Sequence, residues 1–159
     1  MIEAGVRRVG FVNVKVMLRN SEEPDRKEEL EMVVDTGAMY SLVPGHILEN
    51  IGIRPLERRV FTLASGERIE RGFGGAIFEV EERRGHAPVI FGEKDDKCSL
   101  GVTALEALGL EVDVVAGKLK PMELLFKNEK RENGGREKRR TRGKSVEGMF
   151  EKVYKNYIR

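Results

Sequence analysis

Asp35, Thr36 and Gly37 follow directly on an apolar run, Met32-Val33-Val34, and lead into Ala38-Met39-Tyr40-Ser41-Leu42-Val43-Pro44. The pattern is that of a buried strand that delivers an acid into a glycine turn and then returns to apolar residues. A carboxylate at the end of a core strand costs free energy unless it is hydrogen-bonded or put to chemical use. Thr can hydrogen-bond locally, and Gly lets backbone N–H groups come close to a carboxylate. General acid–base work is the chemistry such a carboxylate can do. The plain alternative is an ordinary strand-to-turn junction, where Asp and Gly are both favoured.

The surrounding pattern sets the elements that must hold Asp35. Val6 to Leu18 alternates, with Val12, Val14, Val16 and Leu18 on one face, and reads as a half-buried strand. Glu29 to Val34 is a second strand, and the two are expected to form a hairpin with Asp35 at its tip. Ser41-Leu42-Val43 is a short strand. Pro44 and Gly45 open a short helix, about His46 to Asn50, which Gly52 closes. Arg58 to Leu63 and Glu67 to Glu81 are strands joined by the tight turn Ala64-Ser65-Gly66, the second broken by Gly72, Gly74 and Gly75. Ala87 to Phe91 is another strand, and Lys94 to Lys97 is charged and exposed. Thr103 and Glu106 have capping-box spacing for a helix that runs to about Leu108 and stops at Gly109. Val112 to Val115 and Lys118 to Leu125 form a last hairpin around Ala116-Gly117. The fold class is mostly β, with short helices.

The segment Val33-Val34-Asp35-Thr36-Gly37-Ala38 resembles the active-site loop of retroviral-type aspartic proteases, including their cellular and archaeal single-domain relatives. The order of features agrees: catalytic loop, hairpin, then Ser99-Leu100-Gly101-Val102 entering a short helix. The resemblance spans about Val9 to Glu123 and implies a closed, β-barrel-like acid-protease fold. It further implies an aspartic peptidase, a hydrolase whose Asp35 is the catalytic acid/base. No second Asp-Thr-Gly or Asp-Ser-Gly is present, so an active enzyme of this kind has to be a homodimer with one Asp35 from each subunit. By the same resemblance Thr36 bonds across the dimer axis, the Gly37 N–H reaches the carboxylates, and Ala38 lines the cleft floor. Leu63, Ala64, Ser65, Gly66 and Glu67 are the flap over a peptide or protein substrate, and Leu100 and Gly101 pack beneath the loop. Ser99 stands where the family usually has an aliphatic residue. The alternative is a peptide-binding or dimerisation module that keeps the fold without turnover.

The 159 residues allow one domain with a real core: 40% are hydrophobic and 35% charged. No window approaches a membrane span and no signal-peptide pattern is evident. With Cys98 as the sole cysteine and no disulfide partner for it, a cytoplasmic location is expected. The lack of Trp and Gln, with abundant Glu, Lys and Arg, resembles the bias of hyperthermophile proteins. The net charge of +2 hides a split: residues 127–159 carry 12 Lys/Arg and 5 Asp/Glu, a balance of +7 against −5 for the rest. The chain therefore divides into a protease-like domain (1–126), a basic flexible linker (127–144) and an amphipathic C-terminal helix (145–159) carrying Val146, Met149, Phe150, Val153, Tyr154 and Tyr157. Residues 136–144 are basic enough to contact nucleic acid but lack interleaved aromatics, so a solvated tail is the preferred reading. His46 and His86 have no partner at metal-ligand spacing. Gly72-Phe73-Gly74-Gly75 lacks the Lys-Ser/Thr and helix of a phosphate loop. No metal or cofactor is expected.

Overall fold

The computed structural model describes residues 11–123. The chain order is β1 (Val12–Arg19), β2 (Lys27–Val34), β3 (Ser41–Pro44), α1 (Gly45–Asn50), β4 (Glu57–Thr62), β5 (Arg68–Val80), β6 (Arg83–Gly92), β7 (Ser99–Leu100), α2 (Val102–Leu108), β8 (Leu110–Asp113) and β9 (Lys118–Pro121). Period-two alternation builds the first strands: Val12, Val16 and Leu18 are buried in β1, and Leu30, Met32 and Val34 in β2, while Asn13, Lys15 and Glu31 face solvent.

β1 and β2 pair antiparallel from Val12↔Val34 to Arg19↔Lys27. Asp35 therefore follows the open end of this hairpin, not its tip as the sequence suggested. The register that buries Val34 against Val12 leaves residues 20–26 as the turn. Asn20 organises that turn. Its side-chain oxygen accepts the Glu22 and Glu23 N–H groups at 2.9 and 3.1 Å, and its amide donates to the Ile51 carbonyl at 3.0 Å.

Seven strands form one sheet in the order β1-β2-β7-β3-β6-β5-β4, and β1 also pairs with β5. That extra pairing closes six of the strands into a ring, with β4 outside it on β5. The interior holds Leu18, Met32, Leu48, Phe78, Val89 and Leu100, all essentially free of solvent. β8 and β9 form a separate two-stranded sheet. Val112 and Leu119 pack from it onto the core, and an ion pair joins Glu111 and Lys120.

Three local expectations need correction. β5 runs unbroken for thirteen residues. Gly72 and Gly74 do not break it but admit neighbours: a Cβ on Gly72 would lie 3.0 Å from the Pro55 ring and 3.2 Å from Phe91. β6 begins at Arg83, because residues 83–86 complete the ladder to Ile77–Val80. α2 has Gly101 as its N-cap and no side-chain cap; Thr103 spends its hydroxyl elsewhere, as described below. The helix does end at Gly109, whose φ of +66° is a left-handed conformation that glycine adopts cheaply. Among the described residues no helix is long and apolar enough to cross a membrane. The basic run and the C-terminal helix read from residues 127–159 lie outside the described residues.

Candidate active site

β7 is only two residues long, yet it positions the loop that carries Asp35. It lies parallel to β2, with Val33↔Ser99 and Val34↔Leu100 in register, and antiparallel to β3 at Leu42↔Ser99. β2 and β3 are thus not neighbours, and residues 35–40 must arch over β7 to connect them. The Asp35 N–H donates to the Leu100 carbonyl at 2.9 Å, continuing the ladder one step past β2. The Ala38 N–H closes a turn on the Asp35 carbonyl at 3.2 Å, and the Gly37 N–H donates to Asp35 Oδ1 at 3.0 Å. The carboxylate is held by the backbone of its own loop and faces solvent. Asp35, Thr36 and Gly37 are exposed, and Ala38 is half-buried.

The far side of the loop is pinned by the start of α2. The Val102 N–H donates to the Ala38 carbonyl at 2.9 Å and the Thr103 N–H to the Met39 carbonyl at 3.0 Å. Thr103 Oγ1 donates to the same Met39 carbonyl at 2.8 Å, which is why it does not cap the helix. Ser41 is fully buried, and its Oγ accepts the Gly101 N–H at 2.9 Å. Gly101 touches the loop backbone directly: a Cβ there would sit 2.5 Å from the Tyr40 carbonyl carbon and 2.8 Å from the Ser41 nitrogen. Leu100 and Gly101 thus lie against the loop, Leu100 buried in the core and Gly101 in backbone contact. These ties fix the height and direction of Asp35 from both ends.

Leu63, Ala64, Ser65, Gly66 and Glu67 form the turn between β4 and β5, and all five are exposed. The turn is closed by Leu63 N–H to Glu67 O and Gly66 N–H to Leu63 O, both 2.8 Å. A row of half-buried rings connects this hairpin to the Asp35 loop. The Tyr40 and Phe73 rings meet edge to face with centroids 4.9 Å apart, and Phe61 lies 6.3 Å from Phe73. The Arg59 guanidinium covers Phe73 at 3.8 Å. Sequence reasoning missed this row. The signal was there in the alternation of Arg59, Phe61 and Leu63 with Arg58, Val60 and Thr62, which puts the first set on one face.

Cys98 is half-buried; burial and the Glu28 charge push its thiol up. Its carbonyl takes the Val33 N–H at 3.0 Å, so its backbone belongs to the β7 junction. Among the described residues no three His, Cys, Asp or Glu side chains gather where they could hold a metal ion.

No family model matches this sequence, and no curated protein does. Solved structures do. The chain is similar to the EIAV protease with a TM-score of 0.51 at 14% identity, over 70% of this chain and 99% of that one. It is similar to the simian foamy virus protease over 59% of this chain and 91% of that one, at 19% identity and a TM-score of 0.43. It also matches the protease–reverse transcriptase of prototype foamy virus over 73% of this chain, at 16% identity and a TM-score of 0.45, but spans only 12% of that chain. The EIAV match establishes the fold: mostly β, with the architecture of a retroviral aspartic protease.

Proposed function

We propose that the protein is an aspartic endopeptidase, a cellular single-domain relative of the retroviral enzymes, that works as a two-fold homodimer. The observation that carries this reading is Asp35 itself: an exposed carboxylate set by its own Gly37 N–H on a loop tied at both ends to β7 and α2, in a chain with the retroviral-protease fold. Such a carboxylate is pre-positioned, and the sequence holds no second Asp-Thr-Gly or Asp-Ser-Gly to partner it. Hydrolysis of a peptide bond by acid–base chemistry needs one carboxylate to take a proton from water and a second, protonated one to hydrogen-bond the scissile carbonyl oxygen. A two-fold axis beside Asp35 supplies the second from another copy of the same chain. Two carboxylates so close share one proton, and their titration belongs to the pair.

In the mechanism, the ionised Asp35 accepts a proton from the water as its oxygen attacks the carbonyl carbon. The protonated Asp35 donates to the carbonyl oxygen, giving a tetrahedral diol. Proton transfer to the amide nitrogen then breaks the C–N bond. Thr36 locks the two loops together across the axis, the Gly37 N–H holds the carboxylate oxygens in plane, and Ala38 leaves room on the cleft floor. Residues 63–67 close over an extended peptide and exclude water.

The test is cleavage of a diverse peptide library from about pH 3 to 8 by the wild-type chain and by Asp35→Asn, with sedimentation of both. The proposal expects a dimer in each case and cleavage only by wild type. Equal, negligible cleavage by two confirmed dimers would leave a peptide-binding module in its place.

A further inference from the structure

The β4–β5 hairpin has two faces, and its register says what each carries. Glu57↔Phe73, Arg59↔Arg71 and Phe61↔Ile69 are opposite one another, so Glu57, Arg59, Phe61, Ile69, Arg71 and Phe73 share one face. Phe73 on that face meets Tyr40, the last residue of the loop that begins at Asp35. This is therefore the face turned toward the Asp35 side of the molecule, and the opposite face carries Arg58, Val60, Thr62 and Glu70 into solvent.

Two features of the inner face are unusual together. Arg59 and Arg71 stand directly opposite across the strands, an arrangement in which like charges repel. Each is offset only at the rim. Arg59 Nε donates to Glu57 at 2.7 Å, with the two side chains 41% and 49% exposed. Arg71 donates to Glu93 at 2.8 Å and to the Glu70 carbonyl at 3.1 Å, with the Arg71 side chain 24% and the Glu93 side chain 70% exposed. Ion pairs as open as these contribute little and exchange readily. The Arg59 guanidinium carbon also lies over the Phe73 ring, 3.8 Å from its centre, which restrains the fork's position before any ligand arrives. Nearer the turn, Phe61 and Ile69 are apolar and half-buried, with no charge between them.

Building on the peptidase reading, we propose that Arg59 and Arg71 form a clamp for an acidic side chain of the peptide substrate, outside an apolar stretch that contacts Phe61 and Ile69. The two guanidiniums offer paired N–H donors of the geometry a carboxylate accepts. The substrate class is an extended peptide with apolar residues at its centre and an Asp or Glu further along. The rim carboxylates of Glu57 and Glu93 release the forks to it and turn to water.

The experiment uses the full chain carrying Asp35→Asn, so that no peptide is consumed, and fluorescence anisotropy. Labelled peptides share an apolar centre, with one Glu walked outward through four positions against Gln at the same place. The expected result is a Glu peptide that binds about tenfold or more tighter than its Gln counterpart at one outer position. The preference should shrink with added KCl. It should fall away in Arg59→Gln and Arg71→Gln, and return in part in Arg59→Lys, which keeps the charge but not the fork. Melting curves of each variant report whether the hairpin still folds, and the salt dependence of the unsubstituted hairpin tests the clamp without any variant. Equal binding of Glu and Gln peptides at every position overturns the clamp, as does a preference that survives both Gln variants, or no binding at all. Cleavage by the chain with Asp35 intact is scored separately, so a binder without turnover would sink the peptidase reading and leave the clamp standing.

Discussion

Gly101→Ala adds a single methyl group, and the structure says where it goes. The Cβ would lie 2.5 Å from the Tyr40 carbonyl carbon, 2.7 Å from its oxygen and 2.8 Å from the Ser41 nitrogen, all backbone atoms. The backbone at Gly101 has φ −89° and ψ 173°, which alanine adopts without strain, so the whole effect is lack of space. Relief to an ordinary contact of about 3.5 Å needs the loop to move by roughly 1 Å. That motion stretches the Gly101–Ser41, Val102–Ala38 and Thr103–Met39 bonds, now 2.9, 2.9 and 3.0 Å. Overpacking of this kind costs about 1–3 kcal/mol, and the three weakened bonds together about 1–2 kcal/mol more, so the variant should lose about 2–5 kcal/mol. Urea unfolding reads this as a lower midpoint at unchanged slope. Gly66→Ala is the contrast: nothing lies within 4 Å of its Cβ, but its φ is +86°, so it should lose about 1 kcal/mol through conformation alone. A Gly101→Ala protein within about 1 kcal/mol of wild type would refute the claim that the loop rests on this backbone contact.

Two further perturbations test other joints. Asn20→Ala strips the turn of an acceptor for two N–H groups and a donor to Ile51, and should cost about 2–3 kcal/mol in urea unfolding; a change below about 0.5 kcal/mol would show that water replaces the side chain freely. Glu79 is held between Arg19 and Arg84, and its Arg19 hydrogen bond, at 2.7 Å, is the main force lowering its carboxyl against the opposing effect of burial. Because the folded value is the lower one, Glu79 contributes stability above the unfolded value of about 4.3 and loses it as pH falls through the folded value. The stability gap between wild type and Glu79→Gln should therefore be widest near neutrality and narrow as the solution is acidified below about pH 4; a gap independent of pH would show that the carboxylate charge is not what matters.

The sequence was most legible where a local rule coincided with the global fold. Alternation in β1 and β2, the turn at residues 64–66 and the stop at Gly109 each follow from backbone preferences acting over a few residues. Asp35 stood out because an acid after an apolar run is costly. What could not be read was long-range. Ser99-Leu100 is too short to announce a strand, and only its two partners from distant parts of the chain make it one. The glycines of β5 read as breaks because the residues they make room for, Pro55 and Phe91, are far away in sequence. Thr103 matched a capping pattern, but a carbonyl 64 residues upstream competed for its hydroxyl and won. The position of Asp35 at the open end of its hairpin depended on register, which no single strand encodes.

The insertion of β7 between β2 and β3 also sets a time at which the Asp35 loop becomes anchored. Val33 and Ser99 are neighbours in the sheet, yet the chain between them holds α1, β3, β4, β5 and β6. Contacts this remote form late, because the entropy of closing so large a loop is lost before the contact returns anything. On the ribosome, β1, β2 and the Asp-Thr-Gly turn emerge before β7 and α2, when the segment that will lie beneath the turn does not yet exist. Only after Thr103 has left the exit tunnel do the Leu100, Gly101 and Thr103 ties become available, and until then the carboxylate rides on an unanchored loop. A nascent chain therefore carries Asp35 on an unassembled loop until Leu100, Gly101 and Thr103 arrive, which leaves the timing of assembly to a segment far downstream of the turn it anchors.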